Sequence, residues 1–198
     1  VSILNSANSH NIFIARNIFD IVLSMLHHIE ADVDAGIGRS IGKKGHFSNI
    51  SEDLAISMVI NGFSGRGVEW HGLGPHLRHM ESLFRSANSG LGILITYEGL
   101  TDQKQTVVRK IADHLDIHLS DDVLARIERE TKIETMQATG VARGNKAHFR
   151  SRSERPSRVI IQDSHVEMVN FMILQQTPDL KALVHAANMN WILQRPKG

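Results

Sequence analysis

The chain contains no cysteine, four prolines and a single tyrosine among its 198 residues. The absence of cysteine excludes a disulfide-stapled scaffold and a thiolate metal site, and it fits a reducing, cytoplasmic compartment. The sequence shows no apolar run long enough to cross a bilayer and no signal-peptide pattern, so we expect no membrane span. The formal net charge of +1 predicts no general attraction to nucleic acid or to an anionic membrane.

The composition is that of a globular protein, with 41% hydrophobic and 22% charged residues. A chain of this length can bury a core, and we interpret residues 1–198 as one domain. The chain begins at Val1 and enters its first strand almost at once. We therefore expect the domain to be incomplete at its N-terminus.

Short apolar strands alternate with amphipathic helices along the chain. Strands are predicted over residues 12–15 and 92–100, and helices over residues 19–30, 48–62, 76–86, 103–115, 121–130 and 166–186. The predicted capping residues of three helices are Asn49 with Glu52, Thr101 or Asp102, and Ser120. The alternation predicts a helix-rich α/β fold with a parallel sheet flanked by helices.

Two segments interrupt this pattern. Residues 34–46 are rich in glycine and basic residues, which predicts an inserted mobile loop. They do not form a Walker-type phosphate loop, because Ile37 stands at the first glycine position and Lys44 at the hydroxyl position of that motif. Residues 141–158 are polar, basic and irregular.

Arg16 stands where the first predicted strand ends and its helix begins. In parallel α/β sheets, ligands bind beyond the carboxyl ends of the strands. The guanidinium group offers a rigid fork of donors that fits phosphate oxygens, and Ser24, eight residues later, is placed to add a hydroxyl to the same anion. The alternative is an ion pair between Arg16 and Asp20 within the first turn.

Three segments together resemble the sulfotransferases that use 3′-phosphoadenosine 5′-phosphosulfate (PAPS). The stretch ARNIFDIVLS resembles their 3′-phosphate-binding segment, and Ile18 stands where proline is usual. The stretch ILITYEGL resembles their strand that ends in Tyr-Glu-Asp-Leu, with Gly99 in place of aspartate. The stretch RETKIETMQ resembles their Thr-Ser-Phe-x-x-Met segment. The resemblance extends from about Ile12 to Arg152.

The resemblance implies a set of nucleotide-binding residues. The residues it assigns to the nucleotide are Arg16, Ser24, Tyr97, Thr131, Ile133, and Arg150 or Arg152. It implies that Tyr97 approaches the adenine and that residues 141–158 cover the nucleotide. Taken singly, Tyr97 also fits a half-buried strand tyrosine, Thr131 a helix-terminal hydroxyl, and the arginines a solvated basic loop.

The resemblance also implies the reaction, which is transfer of a sulfuryl group from PAPS to a hydroxyl or amine. The other product is adenosine 3′,5′-bisphosphate (PAP), and the expected fold is a P-loop-like parallel sheet. The acceptor is expected to be a small molecule, a glycan or a lipid. In the family, the phosphosulfate loop and the catalytic base precede the Arg16 strand, and we identify neither in this chain.

Other functions stay open at the level of sequence. A module that binds the nucleotide without catalysis is one alternative, and an enzyme with a nucleotide-kinase-like fold is a second. Binding of nucleic acid through the arginine-rich stretch 150–158 is a third, although only Phe149 is placed to stack on a base. No metal site is predicted, because His71, His76 and His79 lack further ligands at useful spacing.

Overall fold

The computed structural model describes residues 10–30, 47, 49–65, 68–138 and 160–195. Its strands are β1 (Asn11–Ala15), β2 (Phe63–Gly65), β3 (Val68–Trp70) and β4 (Gly92–Thr96). Its helices are α1 (Ile18–Glu30), α2 (Glu52–Asn61), α3 (Gly74–Asn88), α4 (Tyr97–Asp102), α5 (Lys104–His114), α6 (Asp121–Glu130), α7 (Ile133–Ala138), α8 (Asp163–Gln176) and α9 (Leu180–Ala186). A C-terminal 3₁₀ helix follows at Asn190–Leu193.

The central pairing is parallel. Strands β1 and β4 run side by side, from Asn11 opposite Gly92 to Ala15 opposite Thr96. The long connection between them carries α1, α2, α3 and an antiparallel hairpin of β2 and β3. The predicted helix-rich α/β fold with a parallel sheet is confirmed. The hairpin was not predicted, since its three-residue strands are too short to give a periodic signal.

The core lies between β1 and the helices that surround it. In α1, apolar side chains recur at helical spacing and become fully buried, as one face of an amphipathic helix must. Helix α3 buries a similar stripe, and α8, α9 and the 3₁₀ helix contribute from the C-terminal part of the chain. The side chains with 0% exposure in this core are Ile18, Phe19, Val22, Val59, Ile60, Leu73, Leu77, Phe84, Leu180, Val184 and Ile192.

Strand β4 is shorter than predicted. It ends at Thr96, whose hydroxyl accepts a hydrogen bond from the Gly99 amide at 3.0 Å and caps α4. The prediction extended the strand through Tyr97 to Leu100, whereas the side-chain cap at Thr96 starts a helix at Tyr97. Thr101 and Asp102 consequently lie inside α4, and the prediction that either caps the next helix is wrong. Gln103 occupies that N-cap position without a side-chain hydrogen bond.

Two further boundaries differ from the predictions and one agrees. The cap of α2 is Ser51, whose hydroxyl accepts from the Leu54 amide at 3.2 Å, so the predicted capping box at Asn49 is wrong. The predicted helix over residues 166–186 is divided into α8 and α9, because Thr177 leaves the helical conformation before Pro178. Ser120 caps α6 as predicted, accepting from the Val123 amide at 3.4 Å.

The predicted loops at residues 34–46 and 141–158 lie outside the described residues. Across the part of the chain that the structure describes, no helix combines the length and the apolar character needed to cross a membrane.

Candidate functional site

Arg16 and Tyr97, which are both assigned to the nucleotide, lie side by side at the ends of two paired strands. Ala15 is paired with Thr96, so Arg16 and Tyr97 leave neighbouring parallel strands at the same carboxyl edge. The guanidinium carbon of Arg16 lies 4.5 Å from the centroid of the Tyr97 ring, within the range of a cation–π interaction. The structure therefore brings together two residues that the family resemblance assigns to the nucleotide.

The Arg16 side chain retains an unused donor in this position. Its Nε atom is buried and has no hydrogen-bond partner among the described residues. A buried donor without a partner costs free energy, about 1–3 kcal/mol, more for a charged group. An anionic ligand at this edge would satisfy the donor, and the aromatic ring would hold the guanidinium in place beside it.

Glu98, in the first turn of α4, contacts the same turn after β1. Its Oε1 atom accepts a hydrogen bond of 3.1 Å from the backbone amide of Asn17. Its Oε2 atom is buried and, within the described part of the chain, has no partner. The carboxyl group thus connects the turn that follows β1 with the start of α4.

Asn17 is buried, with 5% exposure, and its side chain bonds in two directions. Its Oδ1 atom accepts from the backbone amides of Phe19 at 2.9 Å and Asp20 at 3.3 Å, which caps α1. Its Nδ2 atom donates to the carbonyl oxygens of Trp191 at 2.8 Å and Gln194 at 3.0 Å. Asn17 is therefore fixed both to the start of α1 and to the C-terminal segment 191–194.

Tyr97 is the first residue of α4, and 44% of its surface is exposed. The alternative of a half-buried strand tyrosine is wrong, because β4 ends one residue earlier. One part of the ring contacts the Arg16 guanidinium, and the exposed part is accessible to a ligand.

Ser24 is an exposed residue of α1. It lies about 9 Å along the helix axis from the first residue of α1, at 1.5 Å per residue. The structure places Ser24 on the helix that starts at the Arg16 turn, and its predicted role toward a shared anion stays a prediction.

Thr131 ends α6, as the helix-terminal alternative predicts. Its hydroxyl donates to the Ile127 carbonyl at 2.7 Å and accepts from Lys104 Nζ at 2.9 Å. Lys104 Nζ also donates to the Thr131 carbonyl at 3.1 Å. The lysine thereby ties the start of α5 to the end of α6.

A polar cavity of about 560 Å³ opens beside this lysine. Its walls come from the end of α4, the start of α5 and the end of α6, and its lining residues are Thr101, Asp102, Gln103, Lys104, Gln105, Thr106, Glu128 and Lys132. Arg16 and Tyr97 are not among them. We assign the candidate site to the strand ends rather than to this cavity. The buried Arg16 Nε donor without a partner among the described residues, and the contact of Arg16 with the Tyr97 ring, both lie at the strand ends.

Three further residues were predicted to bind the nucleotide. Ile133 is the first residue of α7, directly after Thr131 and Lys132. Arg150 and Arg152 lie outside the described residues. In the part of the chain that is described, no group of three or more His, Cys, Asp or Glu side chains is arranged to hold a metal ion.

Asn17 and Glu98 were not assigned a role from the sequence. Each directly follows a predicted site residue, Arg16 or Tyr97, at a strand end. An asparagine one residue before an apolar helix is a common N-cap, which is the signal that indicates Asn17. No comparable local signal indicates Glu98, because its partner is 81 positions away in the sequence.

Comparison with known proteins tests the predicted family. The model of the sulfotransferase domain family matches residues 3–173. The fold is similar to the crystal structure of mouse sulfotransferase SULT7A1 complexed with PAP, with a TM-score of 0.57 and 16% sequence identity over 90% of this chain. The chain spans 63% of the length of that neighbour. No curated protein sequence matches the chain. The predicted family and its P-loop-like α/β fold are confirmed, and the chain belongs to the sulfotransferase domain family.

Proposed function

We propose that this protein uses PAPS as a sulfuryl donor and binds the 3′-phosphoadenosine part of it at the edge formed by Arg16 and Tyr97. The observation that carries the proposal is the Arg16 guanidinium, which is held over the Tyr97 ring with a buried Nε donor that has no partner in the described structure. Membership of the sulfotransferase domain family supports the reaction class. The neighbouring mouse enzyme was crystallised with PAP, which supports the choice of nucleotide.

The residues at this edge fit a phosphorylated nucleotide. Arg16 supplies a fork of charged donors for the oxygens of the 3′-phosphate, and each charge-assisted hydrogen bond contributes about 1.5–3 kcal/mol. Ser24 adds a hydroxyl donor from α1. The exposed part of the Tyr97 ring is offered to the adenine, with Thr131 and Ile133 assigned to the far side of the base. Arg150 or Arg152 is proposed as a second cation for the 3′-phosphate.

When bound, PAPS supplies a sulfuryl group that is already activated by its link to phosphate. The contribution of the described residues is to bind and orient the nucleotide. Arg16 neutralises phosphate charge, and Tyr97 limits the positions that the guanidinium can adopt. Holding the donor in one orientation accelerates transfer, because translational and rotational freedom is lost on binding rather than in the transition state.

The acceptor is proposed to present a hydroxyl or an amine, on a small molecule, a glycan or a lipid. The catalytic base is not assigned. The prediction of a cytoplasmic location rests on the absence of cysteine from the chain.

Calorimetric titration with PAP and with AMP, which lacks the 3′-phosphate, tests the proposal. We expect the full-length protein to prefer PAP and the Arg16→Ala variant to lose about tenfold to a hundredfold of this preference, the equivalent of about 1.5–3 kcal/mol. Arg78→Ala is the matched control, because Arg78 is an exposed arginine on α3 that bonds to Gln176. Equal affinity of the wild-type protein for PAP and AMP would refute the proposal.

A second assay separates a sulfotransferase from a module that only binds nucleotide. The full-length protein is incubated with PAPS and a mixture of hydroxyl and amine acceptors, and the release of PAP is measured. Acceptor-dependent release supports transfer. Tight PAP binding without release at any acceptor concentration would favour the non-catalytic module.

A further inference from the structure

Asn17 joins the C-terminal part of the chain to the candidate site through two hydrogen bonds. Helices α8 and α9 and the 3₁₀ helix occupy residues 163–193, and the family match ends at residue 173. We propose that Asn17 is a positioning residue that fastens the Arg16 turn to the 3₁₀ helix, so that the C-terminal segment 190–194 acts as a structural part of the nucleotide site. This inference rests on the proposed function, and it gives Asn17 the role of positioning Arg16 without contacting the nucleotide itself.

Asn17 uses each of its polar groups for a different element. Its backbone amide donates to Glu98 on α4, its Oδ1 atom caps α1, and its Nδ2 atom donates to the carbonyl oxygens of Trp191 and Gln194. With 5% exposure, it has little access to water that could replace these bonds. Among the standard side chains, the asparagine amide provides an acceptor for the cap and a neighbouring donor for the carbonyls in one compact group.

The acceptor carbonyls are themselves held in place. The Gln194 amide donates to the Trp191 carbonyl at 3.1 Å, which closes the 3₁₀ turn, and Ile192 inside that turn has 0% exposure. The next residue, Arg195, donates to the Ile161 carbonyl at 3.2 Å and to Asp163 Oδ1 at 2.9 Å. The segment is therefore anchored on both sides of the contact with Asn17.

The consequence for the site follows from chain connectivity. Arg16 lies between Ala15, which is fixed by the pairing of β1 with β4, and Asn17, which is fixed by these hydrogen bonds. With both neighbours held, the Arg16 backbone is held too, and its guanidinium starts from one position over Tyr97. Loss of the Nδ2 bonds would free this turn, and binding of the nucleotide would then have to order it.

Two substitutions remove the Nδ2 donor of Asn17 and keep an oxygen that can cap α1. Asn17→Asp keeps a good N-cap oxygen but directs a second oxygen at the two carbonyls, where no donor remains. Asn17→Ser also keeps a capping hydroxyl, is too short to reach the carbonyls, and adds no repulsion. Val59→Ala is the control for general destabilisation, because Val59 is fully buried in α2 and its side chain has no donor or acceptor.

The experiment measures the ratio of AMP to PAP dissociation constants in the full-length protein, well below the unfolding midpoint of each variant. We expect both Asn17 variants to lose about tenfold of PAP affinity with little change for AMP, whereas Val59→Ala keeps the wild-type ratio. Hydrogen exchange of the ligand-free protein is expected to rise in Asn17→Ser at residues 16–21 and 190–194 together. This coupled change is a readout that a purely local cap would not produce.

The outcomes separate the two proposals. A wild-type ratio in a folded Asn17→Ser variant would overturn the positioning role and leave the proposed function intact. Faster exchange at residues 16–21 alone would also overturn it. A wild-type protein without preference for PAP would overturn the proposed function, and this inference with it. If Asn17→Asp does not fold, the result for Asn17→Ser alone decides whether Asn17 has the positioning role.

Discussion

Replacement of His165 by alanine is expected to be one of the most destabilising single changes in the described part of the fold. His165 is completely buried at the start of α8. Its Nδ1 atom receives a hydrogen bond of 3.0 Å from the Gln162 amide, which can only donate, so this nitrogen carries no proton. The proton therefore resides on Nε2, which lies 3.1 Å from Asp53 Oδ1 and 3.2 Å from the Asp53 carbonyl oxygen.

The expected cost follows from these contacts. The alanine variant leaves the Gln162 amide without its acceptor, removes the hydrogen bond to Asp53 and opens a cavity. A buried unsatisfied donor costs about 1–3 kcal/mol and a typical hydrogen bond contributes about 0.5–1.5 kcal/mol, and the cavity adds to both. We expect a total loss of about 3–5 kcal/mol in the free energy of unfolding, or a midpoint lower by roughly 6–20 °C for a chain of this size.

Two variants make the prediction specific. Asp53→Ala is expected to cost about 1 kcal/mol or less, because the Asp53 side chain is half exposed and the Asp53 carbonyl oxygen still accepts from Nε2. His165→Asn keeps an acceptor near the Nδ1 position and should recover part of the alanine loss. Urea unfolding gives the three values. Equal costs for His165→Ala and Asp53→Ala, or a cost below about 1 kcal/mol for His165→Ala, would refute the reasoning.

Three further predictions concern other parts of the molecule. Tyr97→Phe keeps the ring beside Arg16 and should bind PAP within about twofold of the wild-type protein, whereas Tyr97→Ala should lose about 0.5–2 kcal/mol of binding free energy in calorimetry. Ser120→Ala removes the hydroxyl that caps α6 and should lower the free energy of urea unfolding by about 0.5–1 kcal/mol; no change would show that the cap is not formed in solution. Burial lowers the pKa of His76 below its ordinary 6.5, and the neighbouring His79 lowers it further. The unfolded chain therefore binds more protons near pH 6.5 than the folded protein does, so the free energy of unfolding should fall as the pH drops through 6.5. His76→Gln should make urea unfolding less dependent on pH in that window, and an unchanged dependence would contradict this assignment.

The end of the first strand and the parallel pairing could be predicted because their signals are local. The run before Arg16 and the run before Tyr97 are short and apolar, and alternation with helices indicates parallel pairing. Parallel pairing in turn brings the two carboxyl ends to one edge. The contact of the Arg16 guanidinium with the Tyr97 ring was not predicted, because it depends on β4 ending at Thr96.

Other parts of the site depend on contacts that no local pattern encodes. The bonds from Asn17 to Trp191 and Gln194 join positions more than 170 residues apart. Lys104 reaches Thr131 across 27 positions and makes a helix-terminal hydroxyl part of a link between two helices. The end of β4 was missed although its signal is local, because the strand prediction did not take into account that the Thr96 hydroxyl can cap a helix.

The most direct test of the Arg16 site is phosphorus NMR of PAP during titration with the full-length protein, because the 3′ and 5′ phosphate groups give separate resonances. With the wild-type protein, we expect the 3′-phosphate resonance to shift and broaden. With Arg16→Ala, at concentrations adjusted to equal saturation, that change should be lost while any change at the 5′-phosphate remains. A 3′-phosphate resonance that responds equally to both proteins would contradict the assignment of Arg16 to the 3′-phosphate.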